Sequence, residues 1–394
     1  MIIRRTPQDF VVLEELAPGT LLENGSGTHA VYRVTKTQLT TPEAAQRLAG
    51  LLKVKANRIE YAGLKDKHAV TTQCMTVDGL ESPPASVTAP AFEATLAGHM
   101  PRHLVAADIA ANHFTITVRE ATREQCREMD RRARGLMLED GSLGFVNYFG
   151  EQRMGSNRHG AGFVARALIA GNFEEALKLA IGTPARKDSG SRREMTRALA
   201  THWGHWKRVL RECPNCPQRA APELLEAGGT FQQAFAALPY FEQQMFVEAY
   251  QSHLWNATAA ELVRTIPQVE MVESSNIKED GFVFPAAAHW TLPRQHLELP
   301  QLCSESELVA PWGNAARTVL EREGLRVDQL RIPGMRRPAF SDAMRPIFAA
   351  AKIANVTAPE KDDLSTSATR LKRTLQFSLP RGAYATVLLR ALGQ

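Results

Sequence analysis

Apolar and polar residues alternate in several short runs along the chain, which is the pattern of half-buried strands. Residues 9–14 and 29–36 are rich in branched and aromatic side chains and predict two strands. Residues 57–61 and 69–77 predict a further pair on either side of a polar turn, and 113–119 predict a fifth strand. Helical patterns between these runs indicate an α/β arrangement in which most neighbouring strands are antiparallel.

Two helices are predicted from their first residues. Thr41 followed by Pro42 is typical of an N-cap with proline at the first helical position, and the apolar residues that follow recur at three- and four-residue spacing. Thr122 with Gln125 predicts a capping box for a helix that continues to about Met137. The second helix carries five arginines, which suit either an RNA backbone or, as we favour, a solvated face balanced by acidic neighbours.

The polar turn between residues 61 and 69 holds the most informative chemistry. Asp66 stands between Lys65 and Lys67, and an opposite charge close by favours the anionic form of a carboxylate. Gly63 lets the backbone turn or approach another chain closely. A carboxylate on a loop between two strands is placed like a nucleophile or a general base. The alternative is a solvated turn with a surface ion pair.

A second cluster is the run Asn147-Tyr148-Phe149-Gly150-Glu151-Gln152-Arg153-Met154-Gly155. Aromatic rings stack on nucleobases and amides pair with their polar edges, so this run is suited to reading a base. A strand end that packs its two aromatic side chains is the alternative.

Composition limits the kinds of partner and the cellular compartment that we expect. The 394 residues suffice for two domains, and the net charge of +5 suggests an anionic partner without identifying it. The sequence has no apolar run that could span a bilayer, no signal peptide and too few cysteines for a disulfide framework, so we expect a cytoplasmic protein. It has neither a phosphate-cradling loop nor a dinucleotide fingerprint, and no cofactor is expected.

One group of residues suggests a metal site. Two histidines and a Cys-x-x-Cys pair, taken together, could hold a four-coordinate zinc ion. Their order and spacings match no established pattern, so we expect no metal there. The four residues are His202, His205, Cys213 and Cys216.

Five blocks resemble the TruD family of tRNA pseudouridine synthases, in the family's order. Residues 63–73 match its Gly-x-Lys-Asp-x-x-Ala-x-Thr-x-Gln pattern without a gap, and residues 9–14 resemble Asp-Phe-x-Val-x-Glu. Residues 147–155 resemble Asn-Tyr-Phe-Gly-x-Gln-Arg-Phe-Gly, departing at Met154. Residues 377–386 resemble Phe-x-Leu-Pro-x-Gly-Ser-Phe-Ala-Thr. The fifth block, Tyr250–Asn256, resembles a Ser-x-x-Phe-Asn helix with Trp255 in place of Phe, and we expect a structural role for it.

The resemblance implies an isomerase that converts one uridine of tRNA, at position 13, to pseudouridine without a cofactor. Asp66 would be the catalytic aspartate and Arg4 the basic residue paired with it, although Arg5 suits the same role. The residues assigned to the target nucleotide are Phe10, Asn147, Phe149 and Tyr384. Further basic residues, considered as RNA contacts, are Lys65, Lys67, Arg153, Arg192, Arg193 and Lys207.

The resemblance also implies the fold: an α/β chain of the α+β type with a mixed, mostly antiparallel sheet flanked by helices. A largely helical inserted TRUD domain would interrupt this catalytic domain. A polar stretch at 156–162 and a Pro-Gly turn at 333–338 predict the two crossings. The expected parts are therefore 1–157, 158–335 and 336–394, in a monomer.

Two other classes of function stay open on the residues alone. The first is an RNA-binding protein with an inactive site, which the intact Asp66 argues against. The second is a hydrolase that uses Asp66 as its nucleophile on a small substrate. A hydrolase would turn over a small chromogenic substrate and ignore tRNA.

Overall fold

The structure is a computed structural model, and it describes residues 1–22, 27–151, 153–154, 160–185, 188, 190–265, 271–273, 282–286 and 297–394. Gln152 and Gly155 of the second motif lie outside these ranges, as do residues 156–159 of the predicted first crossing. The chain forms two compact units. The first unit consists of Met1–Phe145, a short segment that begins at Pro285, and Ala349–Gln394. The second unit consists of Val146–Phe284 and a later segment that ends at Phe348.

The secondary structure follows in chain order. The strands are β1 (Phe10–Leu16), β2 (His29–Thr37), β3 (Ile59–Tyr61), β4 (Val70–Asp78), β5 (Ser86–Ala89), β6 (Phe92–Met100), β7 (Ile109–Ala121), β8 (Leu143–Val146), β9 (Met271–Glu273), β10 (Val283–Pro285), β11 (Glu298–Pro300), β12 (Met344–Pro346), β13 (Phe348–Val356), β14 (Glu360–Lys361) and β15 (Leu371–Pro380). The α-helices are α1 (Thr41–Leu52), α2 (Arg123–Gly135), α3 (Val164–Ile169), α4 (Phe173–Leu177), α5 (Gly190–His202), α6 (Trp206–Glu212), α7 (Ala220–Glu226), α8 (Phe231–Ala236), α9 (Tyr240–Arg264), α10 (Gly313–Arg322) and α11 (Ala385–Ala391).

Within the described ranges, eleven strands form one sheet in the order β5-β6-β2-β4-β1-β7-β15-β13-β8, with β3 beside β4 and β14 beside β15. The pair β1–β4 is parallel. The pairs β1–β7, β7–β15, β13–β15, β2–β4 and β2–β6 are antiparallel. This confirms the predicted mixed, mostly antiparallel sheet.

Helix α1 covers one face of this sheet. Leu48 is fully buried and packs in a cluster with Tyr32 of β2 and Met75 of β4. Burial of a leucine side chain stabilises the fold by about 1.5–3 kcal/mol. Ile59 of β3 belongs to the same cluster, so β2, β3, β4 and α1 share one core, and the loop between β3 and β4 starts and ends on a fixed support.

The predicted cap of α1 was wrong by one residue. Thr40 is the N-cap: its side chain accepts a hydrogen bond from the Glu43 amide at 3.2 Å, and the Glu43 carboxylate accepts one from the Thr40 amide at 2.7 Å. Thr40 rather than Thr41 is the N-cap because Glu43 lies three residues after Thr40 and completes a capping box. Pro42 thus occupies the second helical position, and the Thr41 hydroxyl bonds elsewhere.

Helix α2 begins where the sequence predicted. Thr122 and Gln125 form the expected capping box. Arg131 and Arg132 both bond to Glu128 of the same helix, at 2.8 and 2.7 Å. Arg131 is exposed and paired, as the favoured solvated face predicts, whereas the Arg132 side chain is paired but only 15% exposed.

The second unit is largely helical and has its own core. Buried side chains of several helices form one cluster that includes Leu168, Leu199, Phe235 and Val247. No helix in the described ranges combines the length and apolar character that a transmembrane span requires. An inserted TRUD domain over 158–335 remains a prediction.

Candidate active site

The loop between β3 and β4 carries Asp66. Its two flanking strands pair antiparallel, with Ile59 opposite Val77 and Tyr61 opposite Met75. The Asp66 side chain is 12% exposed, so its carboxylate lies largely within the fold but within reach of a substrate.

Arg4 forms an ion pair with Asp66, its Nη2 lying 2.8 Å from Oδ2. The other carboxylate oxygen, Oδ1, accepts a hydrogen bond from the His68 amide at 3.0 Å. The Arg4 guanidinium also lies over the Phe10 ring, 4.3 Å from its centroid. Arg5, the alternative from the sequence, instead pairs with Glu120 at 2.7 Å. The two carboxylate oxygens of Asp66 are therefore both oriented, one of them by Arg4.

Three side chains bond to the main chain of this loop. Lys36 Nζ donates to the Asp66 carbonyl at 2.9 Å. The Thr41 hydroxyl accepts from the Lys65 amide at 2.9 Å. Gln73 Nε2 donates to the Gly63 carbonyl at 3.2 Å. Together they fix the path of the loop from both of its ends.

Sequence reasoning missed Lys36 and the role of Thr41. The signal for Lys36 was its position, since the inward residues of β2 alternate as Ala30, Tyr32, Val34 and Lys36. A lysine on the buried face of a strand needs a partner for its charge. The signal for Thr41 was the capping box one residue earlier, which leaves its hydroxyl unused by the helix.

Lys65 and Lys67, the charges predicted beside Asp66, each pair with a glutamate. Lys65 Nζ lies 2.5 Å from Oε2 of the buried Glu14 and donates to Asn112 Oδ1 at 2.9 Å. Lys67 Nζ lies 3.6 Å from Glu43 on the surface. The prediction followed proximity in sequence, whereas Arg4 reaches Asp66 from the N-terminal segment.

Phe10 and Tyr384 lie in this unit. Phe10 is 4% exposed and meets Phe114 edge-to-face at 6.2 Å, while one of its faces carries Arg4. Tyr384 is half-buried and is the N-cap residue of α11, which begins at Ala385. Their substrate contacts remain predictions.

The second unit brings Asn147 and Phe149 together around Arg345. Arg345 Nη2 donates to the Asn147 side-chain oxygen at 2.8 Å, and the guanidinium lies 4.1 Å from the Phe149 ring centroid. Asn256 of α9 accepts from the Phe149 amide at 2.7 Å and donates to the Phe149 carbonyl at 2.9 Å. Asn256 therefore has the structural role expected for its helix. Arg345, which has no recognisable signal in the sequence, was missed.

The basic candidates of the second unit differ in exposure. Arg153 lies 2.8 Å from Glu248, and Arg192 lies 3.7 Å from Glu242. Lys207 is 85% exposed and lies 3.6 Å from Glu226, and Arg193 is exposed. Exposed side chains remain available to phosphates, so Arg193 and Lys207 are the stronger candidates.

The histidine–cysteine group does not form a metal site within the described residues. No cluster of three or more metal-ligating side chains occurs in those ranges. His202 instead contacts Glu212 at 3.0 Å, and Cys216 Sγ lies 3.6 Å from Met195 Sδ.

The chain is similar to known proteins over almost its whole length. The family model described as tRNA pseudouridine synthase D (TruD) matches residues 1–392. The "Probable tRNA pseudouridine synthase D" of Methanopyrus kandleri is 31% identical over 375 residues, 93% of this chain and 86% of the relative. The "tRNA pseudouridine synthase D" of Aquifex aeolicus is 30% identical over 405 residues, 99% of this chain and 97% of the relative.

The fold is also similar to a solved structure. A TruD crystal structure from Methanosarcina mazei superposes with a TM-score of 0.68 at 23% identity, covering 99% of this chain and 93% of that one. The chain belongs to the tRNA pseudouridine synthase D family, whose general function is the isomerisation of uridine in tRNA to pseudouridine.

Proposed function

We propose that this enzyme isomerises uridine 13 of tRNA and that Asp66 is its catalytic residue. The observation that carries the proposal is the ion pair between Arg4 and Asp66 on the β3–β4 loop. A carboxylate that is oriented through both oxygens and still partly exposed is suited to act on a substrate rather than to stabilise the fold.

The reaction needs no external reagent. The bond between the ribose C1′ and uracil N1 breaks, the base turns, C5 bonds to C1′, and the C5 proton leaves while N1 gains one. Asp66 can serve by attack on the ribose, by attack on the base or by removal of a sugar proton. Each route requires one carboxylate oxygen at a fixed position, and the contacts of Arg4 and His68 supply that orientation.

The target uridine must leave its stack, which costs a few kcal/mol. Stacking on aromatic side chains offsets about 1–3 kcal/mol per base, and we assign this role to Phe149, Tyr384 and Phe10. Asn147 would read the uracil edge. Its amide donates to the Pro346 carbonyl and accepts from Arg345, which leaves, within the described part of the chain, one N–H and one oxygen lone pair for the base.

The wider RNA contacts are proposed in the second unit. Arg193 and Lys207 would contact phosphates from an inserted TRUD domain over 158–335, because their exposed cations suit a polyanion. We further propose that the enzyme acts as a monomer in the cytoplasm, where tRNA is modified.

The test is to incubate the purified chain with unmodified tRNA transcripts and to map pseudouridine chemically at each nucleotide. We expect one new pseudouridine, at position 13, and none with Asp66→Asn. The variant should bind tRNA within a few-fold of the wild-type affinity, because the substitution keeps the side-chain shape. Pseudouridine at another position would refute the target, and a loss of binding together with turnover would make Asp66 structural.

A further inference from the structure

Lys36 is a buried lysine whose ammonium, within the described part of the chain, hydrogen-bonds to two main-chain oxygens. Its side chain is fully shielded from solvent. Its Nζ donates to the carbonyl oxygen of Leu39 at 2.7 Å and to that of Asp66 at 2.9 Å. One ammonium therefore ties the turn before α1 to the residue proposed as catalytic.

The charges around Lys36 come from two elements. Glu43 of α1 and Asp66 favour the protonated ammonium, while Lys65 disfavours it. Its neighbours across the sheet, Thr71 of β4 and Phe92 of β6, carry no charge. Burial outweighs the two carboxylates and lowers the pKa of Lys36 from 10.5 to about 8.

The stability of the fold alone does not explain a lysine at this position. A buried charge without a direct carboxylate partner costs free energy, and an apolar side chain of similar length would fill the same space. What the ammonium offers is a pair of charge-assisted hydrogen bonds, which are about twice as strong as neutral ones. One of these two bonds ends on the main chain of Asp66.

We propose that Lys36 is a positioning residue of the active site: its protonated ammonium fixes the Asp66 main chain, and its loss of a proton sets the alkaline limit of turnover. The proposal rests on the catalytic role proposed for Asp66. Lys36 acts through the loop, since it bonds the Asp66 carbonyl and not the carboxylate.

Deprotonation would act on the loop directly. A neutral amine keeps donors but loses the charge assistance to both carbonyls. The carboxylate would then sample positions away from the reacting atoms, and small misplacements are costly to the chemical step. We therefore expect the effect on kcat, with KM for tRNA little changed.

The first experiment compares the wild type with Lys36→Met and Lys36→Arg. The assay uses a tRNA transcript that carries tritium at uridine C5, because the label leaves when C5 bonds to the ribose. Lys36→Met should lower kcat by about tenfold to a hundredfold, the range expected for a lost bond to a charged group. Lys36→Arg should restore part of kcat and remove the alkaline limit near pH 8, since arginine keeps its charge.

Thr41→Val is the matched control. Its hydroxyl bonds the Lys65 amide of the same loop at 2.9 Å but does not titrate in this range. It should lower kcat equally at every pH and leave the alkaline limit where the wild type has it. If Lys36→Arg fails to fold, Lys36→Met and Thr41→Val still test the inference, because only Lys36→Met should lose the alkaline limit.

Three outcomes would overturn the inference. The first is that kcat of the wild type stays constant up to about pH 9. The second is that kcat of Lys36→Met equals that of the wild type. The third is that Lys36→Arg has the same alkaline limit as the wild type. Activity in Asp66→Asn would instead refute the proposed function itself. An inactive Asp66→Asn beside a fully active Lys36→Met would refute the inference alone.

Discussion

The Asp66 loop of the first unit and the Asn147–Phe149 segment of the second are both held through their main chains, but by side chains of different chemistry. Each has a main chain held by a buried polar side chain from another element: Lys36 for the loop and Asn256 for the segment. The Lys36 ammonium titrates within reach of working pH, whereas an amide does not.

This difference predicts which step of turnover each region controls. The loop presents a partly exposed carboxylate that pairs with Arg4, and its main chain is held by Lys36, so it should govern the chemical step and respond to pH. The segment is buried around neutral hydrogen bonds and Arg345, whose charge persists at all working pH values. It should govern binding of the nucleotide and be insensitive to pH. Substitutions in the two regions should therefore separate kcat from KM.

The largest effect within this comparison is expected from Arg4→Met. Arg4 donates to the Asp66 carboxylate at 2.8 Å, and loss of a hydrogen bond to a charged group costs about 1.5–3 kcal/mol. If that cost falls on the transition state, kcat drops by about tenfold to 150-fold. Single-turnover rates at saturating enzyme measure it.

Arg5→Met provides the control for Arg4→Met. Arg5 neighbours Arg4 in the chain but pairs with Glu120, so its loss removes the same charge without touching Asp66. We expect kcat within about twofold of the wild type, since exposed ion pairs contribute little. Equal losses in both variants would mean that net charge, rather than orientation of Asp66, is responsible.

Asn256→Ala should act on the other region. It removes the two hydrogen bonds between Asn256 and the Phe149 main chain, each of which contributes about 0.5–1.5 kcal/mol. We expect a rise in KM with a smaller change in kcat, and a lower melting temperature for the second unit. Steady-state kinetics and calorimetry measure these effects.

Asn314→Ala, on the exposed surface of α10, controls for the loss of an amide. It should change neither KM nor the melting temperature. A kcat defect in Asn256→Ala with unchanged KM would contradict the division between the two regions.

The stability of the fold should change with pH through Lys36, in the direction opposite to activity. Its pKa is 10.5 when unperturbed and about 8 in the fold. Between these values the unfolded chain keeps a proton that the folded chain has lost, so the free energy of unfolding rises with pH. Below about pH 8 both states are protonated and this contribution no longer changes.

Lys36→Met cannot titrate at this position. In urea unfolding, the stability of the wild type relative to Lys36→Met should therefore increase from about pH 8 to about pH 10.5. A difference that is independent of pH would show that Lys36 keeps its proton throughout.

The sequence predicted the secondary-structure elements that local patterns encode. Alternation located the strands around Asp66, and the Thr122 capping box located α2. These succeed because period and cap chemistry act over a few residues. The cap at Thr40 was missed because two adjacent threonines both precede Pro42, and only the position of Glu43 separates them.

Local sequence does not identify the partners of the site, and Arg4 was expected beside Asp66 only from the family resemblance. Arg4 reaches Asp66 from 62 residues away, and Arg345 reaches Asn147 from 198 residues away. Lys65 and Lys67 looked like partners of Asp66 because they are its neighbours in the chain. Their side chains end at Glu14 and Glu43 because strand and loop directions, which sequence spacing does not give, decide where a lysine points.

Gly63→Ala is the smallest and most specific test. A Cβ at Gly63 would meet no atom of the described chain within 4 Å, so the fold does not require glycine there. Stability should stay within about 0.5 kcal/mol of the wild type. Gly50→Ala on α1 is the matched control, since its Cβ also meets nothing and alanine in a helix adds about 0.5–1 kcal/mol. If RNA passes close to the loop, as the catalytic role of Asp66 requires, only Gly63→Ala raises KM, by a few-fold, with kcat unchanged. Equal KM values in the two variants would remove close approach of RNA as the reason for this glycine, and would leave orientation by Arg4 and Lys36 as the loop's distinguishing property.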